Sequence, residues 1–293
     1  QIHGIFAVTV THFQENGEID YAACAKHINW LIESGVHGLL PLGATGEFSA
    51  LTLEERKAFA EFAMKEVAGR VPVIIGAVST NVDVTLEVAK HAASIGSDGV
   101  MILPPPGLHP SQDEIYAFYK HISENVTLPV MIYNNPGSSG VNILPETLDK
   151  IADLPHMGFL KESTGDIMRL TRAVDELADR LVIFCGCESL AYESFVIGAK
   201  AWVCVLANVA PAPSARLYDL NDNQGKLEEA RALYRQILPL LRLTEETGEL
   251  WQIVKYILKQ RGFGTGTLRL PRQPISEGVK AQLDELLGKT DFA

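Results

Sequence analysis

One lysine of this 293-residue sequence ends an apolar segment that carries no other charge. Lys161 directly follows Met157–Leu160. A lysine enclosed by apolar side chains loses hydration, which favours its neutral and nucleophilic amine. A neutral amine can attack a ketone and form a Schiff base. Lys161 is therefore a candidate nucleophile. The alternative is an ordinary strand-end lysine whose stem covers apolar surface or whose charge pairs with Glu162.

Two further segments contain groups that could assist such a reaction. Tyr133 ends the apolar run Val130–Tyr133, where its phenol could transfer protons. The segment Gly43-Ala44-Thr45-Gly46 predicts a tight turn, and its exposed backbone N–H groups could hold a carboxylate. Neither feature is specific by itself, since core tyrosines and glycine-containing loops are common.

The sequence contains no pattern typical of a metal or nucleotide cofactor. Its four cysteines are Cys24, Cys185, Cys187 and Cys204. They form no paired C-x-x-C, and neither an H-E-x-x-H nor a P-loop is present. We therefore expect no metal site and no cofactor, with the cysteines as buried thiols in a reducing cytoplasm.

Eight short apolar runs alternate with amphipathic helical patterns along the first two thirds of the chain. The runs are Ile5–Val10, Gly38–Leu42, Val73–Gly76, Val100–Leu103, Val130–Tyr133, Gly158–Lys161, Leu181–Cys185 and Ala201–Val205. Nearly continuous apolar strands that alternate with helices indicate a parallel sheet covered on both faces. No G-x-G-x-x-G follows the first strand, which disfavours an open dinucleotide-binding sheet. The pattern predicts an α/β protein with a (β/α)8 TIM barrel.

The strand pattern stops near residue 209. Helical patterns then cover Glu228–Leu243, Glu245–Lys259 and Ile275–Leu287. We predict a barrel in residues 1–208 and a C-terminal helical extension of the same domain in residues 209–293. In such a barrel the functional residues collect at the carboxyl ends of the strands, where Lys161, Tyr133 and the Gly43–Gly46 turn are found.

The charge and hydropathy of the chain disfavour two classes of partner. The net charge is −11, which repels phosphate backbones, so we expect no nucleic-acid partner. No apolar stretch reaches the length of about 18 residues that is needed to cross a bilayer. The first residues show no signal peptide, and we expect a cytoplasmic protein.

Three motifs together resemble the dihydrodipicolinate synthase / N-acetylneuraminate lyase family. They are Gly43-Ala44-Thr45-Gly46-Glu47, Tyr133-Asn134-Asn135-Pro136 and Lys161-Glu162-Ser163-Thr164-Gly165-Asp166. The resemblance covers essentially the whole chain and implies a homotetramer, a dimer of dimers, with class I aldolase chemistry.

The resemblance also implies a role for each residue at these positions. Lys161 would form a Schiff base with a 2-keto acid, typically pyruvate. Tyr133 would relay protons with Thr45 hydrogen-bonded to it. The backbone at Ala44 and Thr45 would hold the keto acid's carboxylate, with Ala44 replacing a hydroxyl residue common in both branches.

The sequence departs from the synthase pattern at two loops. The synthases carry an Arg after the Tyr-Asn pair that grips the carboxylate of aspartate semialdehyde, whereas this chain has Pro136–Gly140. A serine cannot replace a bidentate guanidinium group. The synthases also carry a Tyr after strand four, where this chain has Pro104–Gly107 and the nearest tyrosine is Tyr116. Both departures argue against dihydrodipicolinate synthesis.

The lyase branch also lacks this Arg, and its loop is similar to Ser139-Gly140-Val141, but its pocket differs from that of this chain. Its polyol-binding residues follow the glycine that corresponds to Gly186, so Glu188 is expected to bind a sugar hydroxyl. Its serine after strand eight falls in Trp202–Leu206, where Val205 makes the pocket more apolar. Ser138 and Ser139 are expected at the substrate's distal end.

We therefore predict a Schiff-base-forming lyase, an aldolase or a dehydratase, that acts on pyruvate or a small 2-keto(-3-deoxy) acid through Lys161. One alternative is a 4-hydroxy-tetrahydrodipicolinate synthase that condenses pyruvate with aspartate semialdehyde. Another is a non-catalytic barrel that binds keto acids.

Overall fold

Eight parallel strands form the centre of the protein. A computed structural model describes residues 2–222 and 225–289. The strands are β1 (Gly4–Ala7), β2 (Gly38–Leu39), β3 (Ile74–Gly76), β4 (Gly99–Ile102), β5 (Val130–Asn134), β6 (Met157–Glu162), β7 (Val182–Cys185) and β8 (Ala201–Cys204). Each strand overlaps one of the eight predicted apolar runs. The strand pattern was therefore predicted correctly, although β2 is shorter than its run.

The strands close into a barrel. Their order is β2-β1-β8-β7-β6-β5-β4-β3, with β1 paired to β8. An isolated parallel bridge from Leu39 to Val73 joins the two ends of this order. Beside it, Leu39 N–H donates to the Pro72 carbonyl at 3.0 Å, and Gly76 N–H donates to the Pro41 carbonyl at 2.9 Å. The predicted (β/α)8 architecture is confirmed.

Aromatic side chains fill the barrel beneath the carboxyl ends of the strands. Phe184 on β7 packs edge-on against Phe6 of β1 and Phe159 of β6, with ring centroids 5.3 and 6.0 Å apart. Side chains two residues apart on a strand share a face. Lys161 is therefore on the same inner face of β6 as Phe159, one layer nearer the barrel mouth.

Helices cover the outside of the barrel. They are α1 (Tyr21–Glu33), α2 (Leu53–Val67), α3 (Val82–Ser94), α4 (Gln112–Ser123), α5 (Pro136–Ser139), α6 (Pro145–Ala152), α7 (Ile167–Leu177), α8 (Ala191–Val196), α9 (Pro211–Asn221), α10 (Leu227–Glu246), α11 (Leu250–Gln260) and α12 (Glu277–Lys289). Helix α2 begins with a capping box between Thr52 and Glu55. Within the described ranges, no helix is long and apolar enough to cross a membrane.

The region beyond β8 contains one helix that the sequence pattern did not predict. Helix α9 follows β8 and packs against β1 and α10, so it is the eighth helix of the barrel. The helices α10, α11 and α12 then form the C-terminal extension. The predicted domain boundary at residue 209 falls just before α9 and stays a prediction.

Candidate active site

Lys161 and Tyr133 lie side by side at the mouth of the barrel. They are register partners on the neighbouring strands β6 and β5. The Lys161 Nζ atom is 4.0 Å from the centroid of the Tyr133 ring. Their exposed fractions are only 6% and 5%. The structure therefore brings the predicted nucleophile and the predicted proton carrier together in a nearly enclosed space.

Glu162 does not pair with Lys161, because successive strand residues point to opposite faces. Its carboxylate accepts hydrogen bonds from Asn134 Nδ2 at 3.0 Å and from Thr164 N–H at 2.8 Å. Arg169 lies 3.6 Å away and forms an ion pair with it. Among the described residues, no carboxylate lies within ion-pair distance of Lys161 Nζ. The alternative in which Lys161 serves as the partner of Glu162 does not apply.

Gly186, which follows β7, leaves the space that the Lys161 side chain occupies. A Cβ atom at Gly186 would lie 3.0 Å from Lys161 Cε and 1.8 Å from Ser163 Oγ. Ser163 is two residues after Lys161, and its buried hydroxyl has no hydrogen-bond partner among the described residues. Because Gly186 has no side chain, its backbone can lie directly beside the Lys161 and Ser163 side chains.

A hydrogen bond from Asn135 holds the Tyr133 hydroxyl. Asn135 Nδ2 donates to the phenol oxygen at 2.8 Å, and Asn135 Oδ1 accepts from Ser138 N–H at 3.1 Å. This arrangement differs from the expected bond to Thr45. In the part of the chain that the structure describes, no hydrogen bond joins Thr45 to Tyr133. Because the phenol oxygen accepts from Asn135, its own proton stays available for donation.

The Gly43–Gly46 segment forms the predicted tight turn at the end of β2. Gly46 N–H donates to the Gly43 carbonyl at 3.0 Å, and Glu47 N–H donates to the Ala44 carbonyl at 2.9 Å. Thr45 is buried. A Cβ at Gly43 would come within 2.6 Å of Val8 Cγ2, so a larger residue there would have to displace the Val8 side chain.

Glu188 is placed differently from the expectation that it faces a sugar hydroxyl. Its buried carboxylate accepts from Val205 N–H and Leu206 N–H, both at 2.8 Å, and from Trp202 Nε1 at 3.2 Å. Burial raises the pKa of Glu188 to about 8, while the backbone N–H donors favour the charged form. Glu188 thus holds the chain after β8, including Val205, through its backbone N–H groups.

The two serines after β5 also differ in their placement. Ser139 is buried, and its hydroxyl lies 2.9 and 2.8 Å from the carbonyl oxygens of Asn135 and Val141. Ser138 is exposed. The structure therefore leaves Ser138 free to meet a ligand and uses Ser139 inside its own loop.

A cleft of about 460 Å³ opens beside Ser163 and leads to the C-terminal helices. Its lining consists of Ser163, Thr164, Gly165, Cys187, Ser189, Leu190, Thr244, Glu245, Gly248, Leu250 and Trp251. The volume is in the range of small-molecule sites. Glu245 accepts from Glu188 N–H and Ser189 N–H at 2.5 and 3.1 Å. Within the described chain, this lining offers hydroxyl groups but no basic side chain.

The cysteines show no sign of a reactive or metal-bound state. Burial raises the pKa of Cys187, which lines the cleft, to about 12. Cys24, Cys185 and Cys204 are buried free thiols. No group of three or more metal-ligating side chains occurs in residues 2–222 and 225–289.

A family model for the dihydrodipicolinate synthetase family matches residues 1–290. The chain belongs to this family. The curated relatives include a 4-hydroxy-tetrahydrodipicolinate synthase from Psychrobacter sp. (strain PRwf-1), which is 34% identical over 285 residues, 97% of this chain and 93% of that protein. The family resemblance and the lyase-type enzyme class predicted from the motifs are confirmed.

Solved structures of this family share the fold closely. A dihydrodipicolinate synthase from Thermotoga maritima has a TM-score of 0.94 at 32% identity, with 100% of this chain and 99% of that chain covered. YagE, a prophage protein of the dihydrodipicolinic acid synthase family from E. coli K12 in complex with pyruvate, has a TM-score of 0.93 at 29% identity, with 98% of each chain covered.

The loop after β5, residues 135–140, contains no arginine. It forms the short helix α5, whose N-cap is Asn135. In the loop after β4, His109 Nδ1 lies 3.2 Å from the Gly140 carbonyl, so the loops after β4 and β5 contact each other. Leu108 next to it is exposed.

Three residues of this site received no role from the sequence. Asn135 lies in the motif Tyr133-Asn134-Asn135-Pro136 and could have been found from its position two residues after Tyr133. Ser163 likewise shares the strand face of Lys161. Trp251 donates its indole N–H to the Ala44 carbonyl at 2.8 Å across 207 positions, for which the sequence contains no local signal.

Proposed function

We propose that the protein is a Schiff-base-forming lyase whose Lys161 amine condenses with the ketone of a small 2-keto acid such as pyruvate. The observation that carries this proposal is the buried pair of Lys161 and Tyr133, with Nζ 4.0 Å from the ring centroid and no carboxylate beside it among the described residues. Both side chains are buried at the barrel mouth, where a primary amine can attack the carbonyl of a bound keto acid and a phenol can transfer the protons.

The reaction would begin when the Lys161 nitrogen donates its electron pair to C2 of the keto acid. The resulting carbinolamine loses its hydroxyl as water and becomes a protonated imine. The imine nitrogen then accepts the electron pair that is released when C3 loses a proton or when the C3–C4 bond breaks, which gives an enamine. The enamine carbon C3 can take up a proton, attack an aldehyde, or expel a hydroxyl group from C4 as water. Water finally hydrolyses the imine, which releases the product and restores the Lys161 amine. Tyr133 would move the protons, and Asn135 would orient its oxygen. This chemistry uses no metal and no organic cofactor.

The Gly43–Gly46 turn would hold the carboxylate of the keto acid. The N–H of Thr45 follows the Ala44 carbonyl and belongs to a buried turn at the same end of the barrel as Lys161. Backbone N–H groups in such a turn can bind an anion without a charged side chain. This suits a chain whose net charge of −11 does not attract anions.

The cleft beside Ser163 would take the second reactant. Its hydroxyl groups and lack of a basic side chain favour an uncharged, hydroxylated aldehyde or the distal end of a 2-keto-3-deoxy acid. An aldol cleavage or condensation, or a dehydration, would follow. A semialdehyde carboxylate would find no guanidinium group there.

A 4-hydroxy-tetrahydrodipicolinate synthase is the second candidate, because the relatives with this name are about one third identical to the chain. A non-catalytic keto-acid-binding barrel is the third. Turnover assays with pyruvate plus aspartate semialdehyde, and with 2-keto-3-deoxy acids, separate the three. We expect turnover only with the latter substrates.

Trapping with borohydride in the presence of pyruvate tests the Schiff base. We expect mass spectrometry to find an irreversible adduct on Lys161. The Lys161→Met variant should give none, while Lys150→Met, which removes an exposed lysine of α6, should give the full yield. An adduct that persists in Lys161→Met would refute the assignment of the nucleophile.

The assembly and location rest on the family resemblance. We propose a cytoplasmic homotetramer built as a dimer of dimers. Light scattering after gel filtration measures the mass in solution, and a monomeric mass would overturn the proposal.

A further inference from the structure

The carbonyl oxygen of Ala44 is held by two donors. One is Glu47 N–H inside the turn, at 2.9 Å, and the other is Trp251 Nε1 from α11, at 2.8 Å. The second donor comes from the C-terminal extension, outside the eight βα units. The extension therefore makes a directed contact with the turn proposed to bind the keto acid.

The orientation of this carbonyl decides where the next N–H points. In a trans peptide the C=O of one residue and the N–H of the next lie in one plane and point in opposite directions. The Ala44–Thr45 peptide is trans. When Trp251 holds the Ala44 carbonyl toward α11, the Thr45 N–H must point away from α11. Trp251 thus fixes the direction of a donor that it does not touch.

The same face of α11 holds the turn at a second point. Lys255 is four residues after Trp251, so the two side chains share a face. Lys255 forms a buried ion pair with Glu47, which ends the motif in the left-handed region at φ 56°. Arg269 N–H also donates to the Glu47 carboxylate, at 3.3 Å. Both ends of the turn are therefore anchored to elements beyond the barrel.

The indole ring of Trp251 has separate packing contacts. Arg272 stacks on it, with the guanidinium carbon 3.2 Å from the ring centroid. The ring also lines the cleft. A phenylalanine would keep a smaller aromatic ring for these contacts, whereas β-(3-benzothienyl)alanine would keep the fused-ring shape and remove the N–H donor. The hydrogen bond can therefore be tested apart from the packing.

We infer that Trp251 is a positioning residue for the carboxylate of the 2-keto acid, acting through the Ala44–Thr45 peptide. The inference rests on the proposed function, because it assumes that this turn binds the keto acid. It assigns part of the substrate affinity to the C-terminal extension. Its signature is selectivity: losing the N–H weakens binding of a charged carboxylate and leaves binding of a neutral keto ester unchanged.

The test compares pyruvate with methyl pyruvate, which has the same ketone but no carboxylate charge. The concentration that gives half-maximal borohydride trapping on Lys161 is measured for each. In Trp251→Phe we expect this concentration to rise about 3- to 10-fold for pyruvate, the effect of one hydrogen bond, and less than about 2-fold for methyl pyruvate. Trp30→Phe is the matched control, because Trp30 packs against His27 and Phe263 away from the turn.

Each result decides the matter. Equal weakening of both compounds would mean general loosening and would overturn the inference, as would an unchanged pyruvate value. If Trp251→Phe does not fold, replacing Trp251 with β-(3-benzothienyl)alanine keeps the ring shape and lacks the N–H. If the wild type itself shows no adduct on Lys161, the proposed function fails rather than this inference.

Discussion

Gly186→Ala tests the packing around the proposed nucleophile. Gly186 does not have a positive φ, so the backbone accepts alanine and only the new contacts matter. The added methyl group would start 1.8 Å from Ser163 Oγ and 3.0 Å from both Lys161 Cε and the Glu162 carbonyl oxygen. The hydroxyl must therefore move by about 1.2 Å to reach 3.0 Å, a separation below which real Cβ contacts hardly occur.

The size of the effect follows from these contacts. Overpacking of this kind costs about 1–3 kcal/mol of unfolding free energy. The Ser163 segment directly follows Lys161, and the same methyl group contacts Lys161 Cε, so the reacting amine shifts as well. A displacement of about 1 Å at a reacting group can reduce the rate about 100-fold. We expect a stability loss within that range and a 10- to 100-fold lower rate of pyruvate trapping on Lys161.

Combining this change with Ser163→Ala shows whether the contact is the cause. The 1.8 Å contact disappears when the hydroxyl is removed. The fold-decrease in trapping rate that Gly186→Ala causes should therefore be about 10-fold smaller in the Ser163→Ala background than in the wild type. Urea unfolding and single-turnover trapping of all four proteins provide the measurement. An effect of the same size in both backgrounds would refute the reasoning.

Two further predictions concern buried charged and titratable groups. Lys255→Met leaves the Glu47 carboxylate buried without its cation. We expect urea unfolding to show a loss of about 3–5 kcal/mol in unfolding free energy, which adding Glu47→Gln partly restores. A loss below about 1 kcal/mol would contradict this expectation. Burial lowers the pKa of His27 to about 4, and its Nε2 lies 2.9 Å from the Asn208 carbonyl. The unfolded chain takes up this proton near pH 6.5, whereas the folded protein takes it up only near pH 4. His27 therefore contributes its full stability above pH 6.5, and about 3 kcal/mol of unfolding free energy is lost as the pH falls to 4. His27→Gln should lower the slope of unfolding free energy against pH by about one proton in this window, whereas the exposed His121→Gln should not; equal slopes in the two variants would disprove the assignment.

The fold was predictable because its signal is local and periodic. Each doubly buried strand is a nearly continuous apolar run, so β5 and β6 are visible without knowledge of their partners. Helix α9 lacked such a signal. It begins with Pro211 and Pro213 and has no clear apolar stripe, and only its packing against β1 identifies it as a barrel helix.

The candidate site was predictable where the chemistry lies at a strand end. Lys161 and Tyr133 follow from this rule together with the family motifs. The position of a residue at a strand end does not predict the direction in which its side chain points. Glu188 was therefore expected in the pocket, but its carboxylate binds the backbone at Val205 and Leu206. The Trp251 contact depends on how α11 docks, which no local pattern contains.

At the junction between β2 and β3, closure of the barrel and the proposed ligand site depend on the same segment of backbone. These two strands are the ends of the hydrogen-bonded order, and within residues 2–222 they are linked by an isolated bridge at Leu39 and Val73 and by the hydrogen bond from Gly76 N–H to the Pro41 carbonyl. The chain that leaves β2 at this junction becomes the Gly43–Gly46 turn. The barrel's least-connected seam and its proposed carboxylate site are thus one continuous stretch of backbone. Any contact that immobilises the turn, whether from α11 or from a bound acid, therefore also stabilises the closure of the barrel between β2 and β3.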